Sequence, residues 1–197
     1  MRPRLLRTYA NEHVLLLTMH HIISDGWSLN VLIRDVGELY DAIVEGRPSQ
    51  LPPLDIQYAD YALWQQRHYA PEYFAGHLAY WRAQLDGVST GTVLRSDHPR
   101  PAVRASRGQQ LRVPLPAALL VASETSRQRL GVSQTVWMLA CFVVLLRRWS
   151  GDRDVTLGTV VAHRDAPATH GLIGMFANLA IVRHLCDDAA NFAQLCA

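Results

Sequence analysis

The chain has 197 residues, 49% of them apolar and 18% charged, and its net charge is +2. This composition is typical of a globular protein with one domain or two small lobes. The basic residues are scattered along the chain, which argues against nucleic acid as a partner, because such a partner requires a clustered basic face. The longest apolar run, residues 136–146, is too short for a membrane span of about 20 residues, and the N-terminus lacks the apolar core of a signal peptide.

The cysteines argue against a disulfide framework and against a zinc site. Cys141, Cys186 and Cys196 are odd in number, and none belongs to a CxxC pattern. We therefore expect no bound metal, and we expect a reducing cytoplasm as the compartment.

The pattern of apolar residues predicts an α/β protein in two parts. The first part begins with a strand apolar on both faces, followed by a helix that Ser28 caps and Gly46 ends. A Gly/Ser/Pro-rich segment then crosses to a second part, in which Ser133 caps a helix that is apolar all round and therefore buried. The predicted elements are, in order, a strand 13–21, helices 28–45, 57–69 and 71–85, the crossing 87–108, a strand 109–115, helices 116–129 and 134–149, strands 155–162 and 176–185, and a short helix at the C-terminus.

Two adjacent histidines, His20 and His21, end the first predicted strand. Because side chains alternate along a strand, the two rings should point to opposite faces. Asp25 follows in a turn where a carboxylate can hold the local backbone or an arginine, and Gly26 leaves room for a substrate beside the ring. The residues alone leave two interpretations open: buried structural histidines, or one imidazole fixed for acid/base or positioning work.

Four motifs together resemble one family. HHIISDGWS (20–28) matches HHxxxDG of the chloramphenicol-acetyltransferase-like acyltransferases, and QYADYALWQ (57–65) resembles the YxDxAxW motif of nonribosomal peptide synthetase condensation domains. SDHPRPAVRASRG (96–108) and IGMFANLAIVR (173–183) are similar to two later motifs of the same domains. The chain departs from the family at Leu179, where Thr is usual, and in GTVVAHR (158–164), which replaces GTPxxxR.

The resemblance implies a chloramphenicol-acetyltransferase-like architecture of two lobes, of which this chain covers the end of the first and the start of the second. The implied divisions are 1–94 in the first lobe, 95–108 as the crossing and 109–197 in the second lobe. Segments of the family upstream of residue 1 and downstream of residue 197 are then missing. We therefore expect the chain alone to be poorly stable or inactive.

The resemblance also implies a reaction, in which the amine of an acceptor aminoacyl thioester attacks a donor acyl or peptidyl thioester. Both thioesters are carried on phosphopantetheine arms of peptidyl carrier proteins beside an adenylation domain, in antibiotic or other secondary-metabolite biosynthesis. The chain itself is expected to bind no cofactor, nucleic acid, membrane or metal. An α-amine has a pKa of about 7.7–8.0, so a useful fraction of it is already neutral near pH 7. A strong base is therefore not essential, and His21 could act either as a general base or by positioning the amine.

The roles that the resemblance assigns divide into three groups. The catalytic motif comprises His20, His21, Asp25 and Gly26, with His21 facing the tunnel, His20 structural, and Asp25 holding the loop through an arginine that we expect upstream of residue 1. Trp27, Ser28 and Asn178 fall beside the substrate channel. Arg183, Tyr58, Asp60 and Trp64 are expected to be structural.

Alternative functions remain open at this point. The run from Asp25 and the IGxFxN-like motif disfavour an epimerisation domain, and the two histidines disfavour a heterocyclisation domain. A second enzymatic hypothesis is a stand-alone acyltransferase of the same superfamily. A truncated, non-catalytic remnant that retains carrier-protein contact is a third.

Overall fold

The computed structural model describes residues 1–88, 94, 96–99, 101–103, 108–187 and 191–196. The chain divides into two compact units, residues 1–82 with 159–180 and residues 83–158 with 181–197. Parts of the predicted crossing segment 87–108 and of the C-terminal tail lie outside the described residues. The lobe boundaries given above stay a prediction.

The first unit opens with a β-hairpin of β1 (Arg2–Tyr9) and β2 (Glu12–Thr18), antiparallel with Leu5 opposite Leu15. The predicted strand 13–21 is therefore right only up to Thr18. His20 and His21 lie beyond the strand, in and before a single 3₁₀ turn, so the alternation of strand side chains does not apply to them. The aliphatic side chains of the hairpin are largely exposed.

Three helices follow in the same unit: α1 (Gly26–Glu45), α2 (Tyr58–His68) and α3 (Pro71–Gln84). They confirm the three predicted helices. The predicted cap of α1 is wrong, because Asp25, not Ser28, accepts the hydrogen bond at its N-terminus, and α1 starts two residues earlier than predicted. Gly46 ends α1 in the left-handed conformation, with φ 66°, which glycine adopts without a steric penalty.

The second unit contains α4 (Ala117–Leu130), α5 (Gln134–Ser150) and the short α6 (Phe192–Cys196). Ser133 caps α5 through the amide of Val136, as predicted. Its core joins Val143 and Leu146 of α5 to Val155.

Two predictions fail in the second unit. Residues 109–115 form no strand, since Leu111 and Val113 are exposed and the described backbone offers no ladder partner. The helix α5 is only half-buried: one stripe faces the core, while Phe142 and Trp149 are exposed.

The strands β3 (Asp154–Val161) and β4 (Asn178–Leu185) pair in a two-stranded sheet and confirm both predicted strands. Among the described residues no single helix is long and apolar enough to cross a membrane. The helices α4 and α5 satisfy the length and composition together, but with a bend of 107° between them.

Candidate active site

The segment from His20 to Ser28 has two halves that differ in burial. His20 and His21 are exposed, whereas Asp25 and Ser28 are 3% and 1% exposed. Nδ1 of His20 accepts a hydrogen bond from the amide of Ile22 at 3.1 Å, which fixes the start of the 3₁₀ turn. The His21 ring makes no side-chain hydrogen bond to any described residue, so both of its nitrogens are open to a ligand.

Asp25 is the centre of the buried half. Its carboxylate accepts hydrogen bonds from the Ser28 amide at 2.8 Å and the Ser28 hydroxyl at 2.7 Å, which caps α1. It also accepts from the amides of Phe176 at 3.1 Å and Ala177 at 3.2 Å. One carboxylate therefore joins the helix that follows the histidines to the backbone just before β4.

The ion-pair partner of Asp25 is Arg164, whose Nη2 lies 3.2 Å from Asp25 Oδ1 and 3.0 Å from Ser28 Oγ. Its Nη1 donates to the carbonyl oxygens of Thr169 and Leu172. The expectation of an arginine upstream of residue 1 is thus wrong. The arginine that ends GTVVAHR holds this place, and that motif was the signal that could have identified it.

The guanidinium of Arg164 is also packed against an aromatic ring. Its Cζ lies 3.9 Å from the centroid of Phe176, which is a close cation–π distance. The side chains of Arg164 and Asp25 are only 1% and 2% exposed. Removing either partner of a buried pair of this kind destabilises the fold strongly, because the remaining charge is left unpaired and poorly solvated.

The environment lowers the pKa of Asp25 to about 2. Burial alone would raise this pKa, but the hydrogen bonds from Ser28 and Phe176 and the charge of Arg164 outweigh it. Asp25 is therefore a carboxylate at any physiological pH, and it serves as an acceptor rather than as a proton donor.

Ser28 forms a buried junction with Asp25, Arg164 and the backbone at 174–177, and the exposed Trp27 lies next to it in the chain. The Ser28 hydroxyl lies 2.8 Å from the Gly174 carbonyl oxygen and accepts from the Gly174 amide at 3.1 Å. Trp27 donates its indole N–H to the carbonyl oxygen of His170 at 3.0 Å, and the two rings lie 5.5 Å apart. Beside them, an added Cβ at Gly26 would meet no described heavy atom within 4 Å.

The three residues of α2 that are expected to be structural make separate contacts. Tyr58 donates its hydroxyl to the Met175 carbonyl oxygen at 2.8 Å, and its ring covers Gly174 so closely that an added Cβ there would be 2.0 Å from it. Asp60 accepts from the Gln57 amide at 2.8 Å at the N-terminus of α2. Trp64 stacks on His68, with ring centroids 4.7 Å apart.

Asn178 and Arg183 lie outside the junction. Asn178 begins β4 and lines a cavity of about 370 Å³ that none of the other predicted site residues lines. Arg183, in the second unit, pairs with Asp154 at 2.7 Å and donates to the carbonyl oxygens of Gln84 and Asp86. Asp25 is therefore not its partner. The described residues contain no group of three or more His, Cys, Asp or Glu side chains that could hold a metal ion.

Comparison with known proteins identifies the family. The family model "Condensation domain" matches residues 1–197, and the chain belongs to that family. The phosphinothricin tripeptide synthetase PhsC of Streptomyces viridochromogenes is 41% identical over 197 residues, which is 100% of this chain and 18% of that protein.

Two solved structures show the same fold. The X-domain from teicoplanin biosynthesis is 29% identical with a TM-score of 0.84, over 99% of this chain and 44% of that one. The first condensation domain of the CDA synthetase is 20% identical with a TM-score of 0.79, over 99% of this chain and 43% of that one. The chain thus has a partial chloramphenicol-acetyltransferase-like fold and spans less than half of the solved domains it matches.

Proposed function

We propose that residues 1–197 work as part of a condensation domain that forms an amide bond between two carrier-bound thioesters. The observation that carries this proposal is the buried Asp25–Arg164 junction, which holds the exposed histidine turn at the start of α1, in a chain that matches the condensation family throughout. The proposed partners are a donor carrier protein, an acceptor carrier protein and an adjacent adenylation domain. The proposed compartment is the cytoplasm, as the cysteine pattern predicts.

The chemistry joins an acceptor amine to a donor acyl group. The amine nitrogen attacks the thioester carbonyl carbon, the new N–C bond forms, the C–S bond breaks, and the departing sulfur ends as a thiol after taking up a proton. The phosphopantetheine arms belong to the carrier proteins and enter as parts of the substrates. This chain is proposed to supply only the group that receives or orients the amine.

His21 is the proposed group, because its ring is exposed and both of its nitrogens are open among the described contacts. As a general base, it would take the proton that the amine loses as the N–C bond forms. As a positioning group, it would hydrogen-bond the amine or the tetrahedral intermediate without taking the proton. His20 is proposed to be structural, since its Nδ1 is engaged by the Ile22 amide.

The test is a peptide-formation assay with two loaded carrier proteins and the protein expressed from its complete reading frame. We expect amide product from the wild type, loss of at least about 100-fold in His21→Ala, and no change in His13→Ala, an exposed histidine of β2. His21→Gln retains a hydrogen-bonding group but no useful base. Retained product in His21→Gln indicates positioning, and its loss indicates proton transfer.

Two outcomes contradict the proposal. Wild-type protein that binds both loaded carriers but forms no amide supports the non-catalytic remnant. Undiminished product in His21→Ala removes His21 from the reaction, whatever the family.

A further inference from the structure

A cavity of about 320 Å³ lies in the first unit, lined on one side by α2 with its flanks and on the other by residues between 163 and 169. Its volume falls within the range of small-molecule sites. Neither His20 nor His21 lines it. Its chemistry is therefore separate from that of the histidine turn.

Three aromatic rings form one wall of this cavity. Tyr61 and Trp64 are three residues apart on α2 and so share a face of the helix, with ring centroids 5.8 Å apart. Tyr69, just beyond the end of α2, places its ring 5.8 Å from that of Trp64. The faces of such rings carry partial negative charge, and Trp and Tyr are the rings that bind cations best.

Two carboxylates accompany the rings. Asp60 uses one oxygen to accept from the Gln57 amide and retains a second oxygen. Asp165 forms no hydrogen bond or ion pair with any described residue. The nearest cation in sequence, Arg164, is committed to Asp25. The lining thus combines three aromatic rings and two carboxylates, and it contains no arginine or lysine.

The backbone of the second wall has an unusual conformation at His163. His163 has φ 51° and is the only non-glycine residue with a positive φ among the described residues. This conformation is costly for a histidine and is found where the surrounding structure imposes it. His163 and Asp165 line the cavity, whereas Arg164 between them points into the buried junction.

We propose that this cavity binds an organic cation, an ammonium or guanidinium group on a small apolar body. The rings would hold the cation through their faces, and Asp60 and Asp165 would balance its charge. The site goes beyond the proposed condensation chemistry, which concerns a neutral amine at His21, and its test does not depend on product formation.

The test compares phenylethylammonium with its neutral isostere 2-phenylethanol, by calorimetric titration into the protein expressed from its complete reading frame. We expect saturable binding of the ammonium at least about tenfold tighter than of the alcohol, since cation–π contacts and a facing carboxylate each favour the charged ligand. Trp64→Leu and Asp165→Asn should each weaken the ammonium about five- to tenfold while changing the alcohol less. Matched controls outside the cavity, Trp149→Leu and Asp152→Asn in the second unit, should bind as the wild type does.

Equal binding of ammonium and alcohol, or no saturable binding of the ammonium up to about 10 mM, overturns the proposal. The wild-type comparison decides the matter even if Trp64→Leu does not fold. In that case Asp165→Asn, a substitution at an exposed residue, provides the mutational test.

Discussion

The two halves of the His20–Ser28 segment are neighbours in sequence and opposites in structure. The histidine half is an exposed turn held by one side-chain hydrogen bond, from the Ile22 amide to His20. The acidic half is buried, and Asp25 and Ser28 bind it to two other stretches of the first unit, Arg164 and residues 174–177. The difference teaches that one short segment can separate a buried half, in which Asp25 fixes the backbone, from an exposed half, in which the ring of His21 makes no side-chain hydrogen bond to a described residue.

The largest effect should come from removing the acid. Asp25→Ala leaves Arg164 buried without its counter-charge and leaves the amides of Phe176 and Ala177 without an acceptor. We expect a loss of about 3–5 kcal/mol in the free energy of local opening, measured by hydrogen exchange of peptides that span 174–177. Asp35→Ala, which removes a solvent-exposed pair with Arg34, should cost less than about 1 kcal/mol. Similar exchange in both variants would contradict the burial argument.

A second large effect should come from Gly174→Ala, because the added Cβ would lie 2.0 Å from the Tyr58 ring. We expect a destabilisation of about 2–3 kcal/mol and faster exchange around residue 174. The matched control is Gly37→Ala in the middle of α1, where an added Cβ has no described heavy atom within 4 Å. It should be neutral or slightly stabilising. Equal exchange at residue 174 in the two variants would show that the Tyr58 ring moves aside.

The pH dependence sharpens the comparison further. The pKa of Asp25 is lowered to about 2 in the folded chain, against about 3.9 when unfolded. Its contribution, about 2 kcal/mol, is therefore fully present above about pH 4 and is lost as the pH falls toward 2. Glu38, Glu124 and Asp154 also have lowered pKa values through hydrogen bonds from arginines, so the wild type alone does not isolate Asp25.

The measurement is the difference in opening free energy between wild type and Asp25→Asn, followed by hydrogen exchange corrected for intrinsic rates from about pH 5 to pH 2.5. We expect this difference to shrink as the pH falls. A difference that is constant over the whole interval would mean that Asp25 is not the titrating group.

The smallest effect on stability should come from the histidine half. His21→Ala removes an exposed ring that makes no side-chain hydrogen bond to a described residue, so the opening free energy should change by less than about 0.5 kcal/mol. The same substitution should abolish amide formation in the carrier-protein assay. A large loss of stability would instead assign His21 a structural role.

The sequence predicted the local elements well, because their signals are local. The apolar stripe and Gly46 predicted α1, and Ser133 predicted the start of α5. The failures concern partners distant in sequence. Residues 109–115 alternate like a strand but have no described ladder partner, and the apolar residues of α5 did not reveal which side would be covered.

The candidate site was predictable in its residue types but not in its connections. The HHxxxDG pattern identified Asp25 as the acid that holds the loop, but its arginine lies 139 positions further along the chain. Ser28 looked like a helix cap because Ser commonly is one. Ser28 is in fact the third residue of a helix that Asp25 caps, and its hydroxyl makes buried contacts with Arg164 and Gly174 that the local sequence does not reveal.

The most direct test of the junction is a double-mutant cycle between Asp25 and Arg164, with Asp25→Ala, Arg164→Ala and the double variant followed by hydrogen exchange at 174–177. If this buried pair fixes the motif, the double variant should be less destabilised than the sum of the two single variants, with a coupling energy of about 2 kcal/mol or more. Additive effects within about 0.5 kcal/mol would show that the two residues act independently, which would contradict the account of the Asp25–Arg164 pair as the contact that fixes the buried half of the segment.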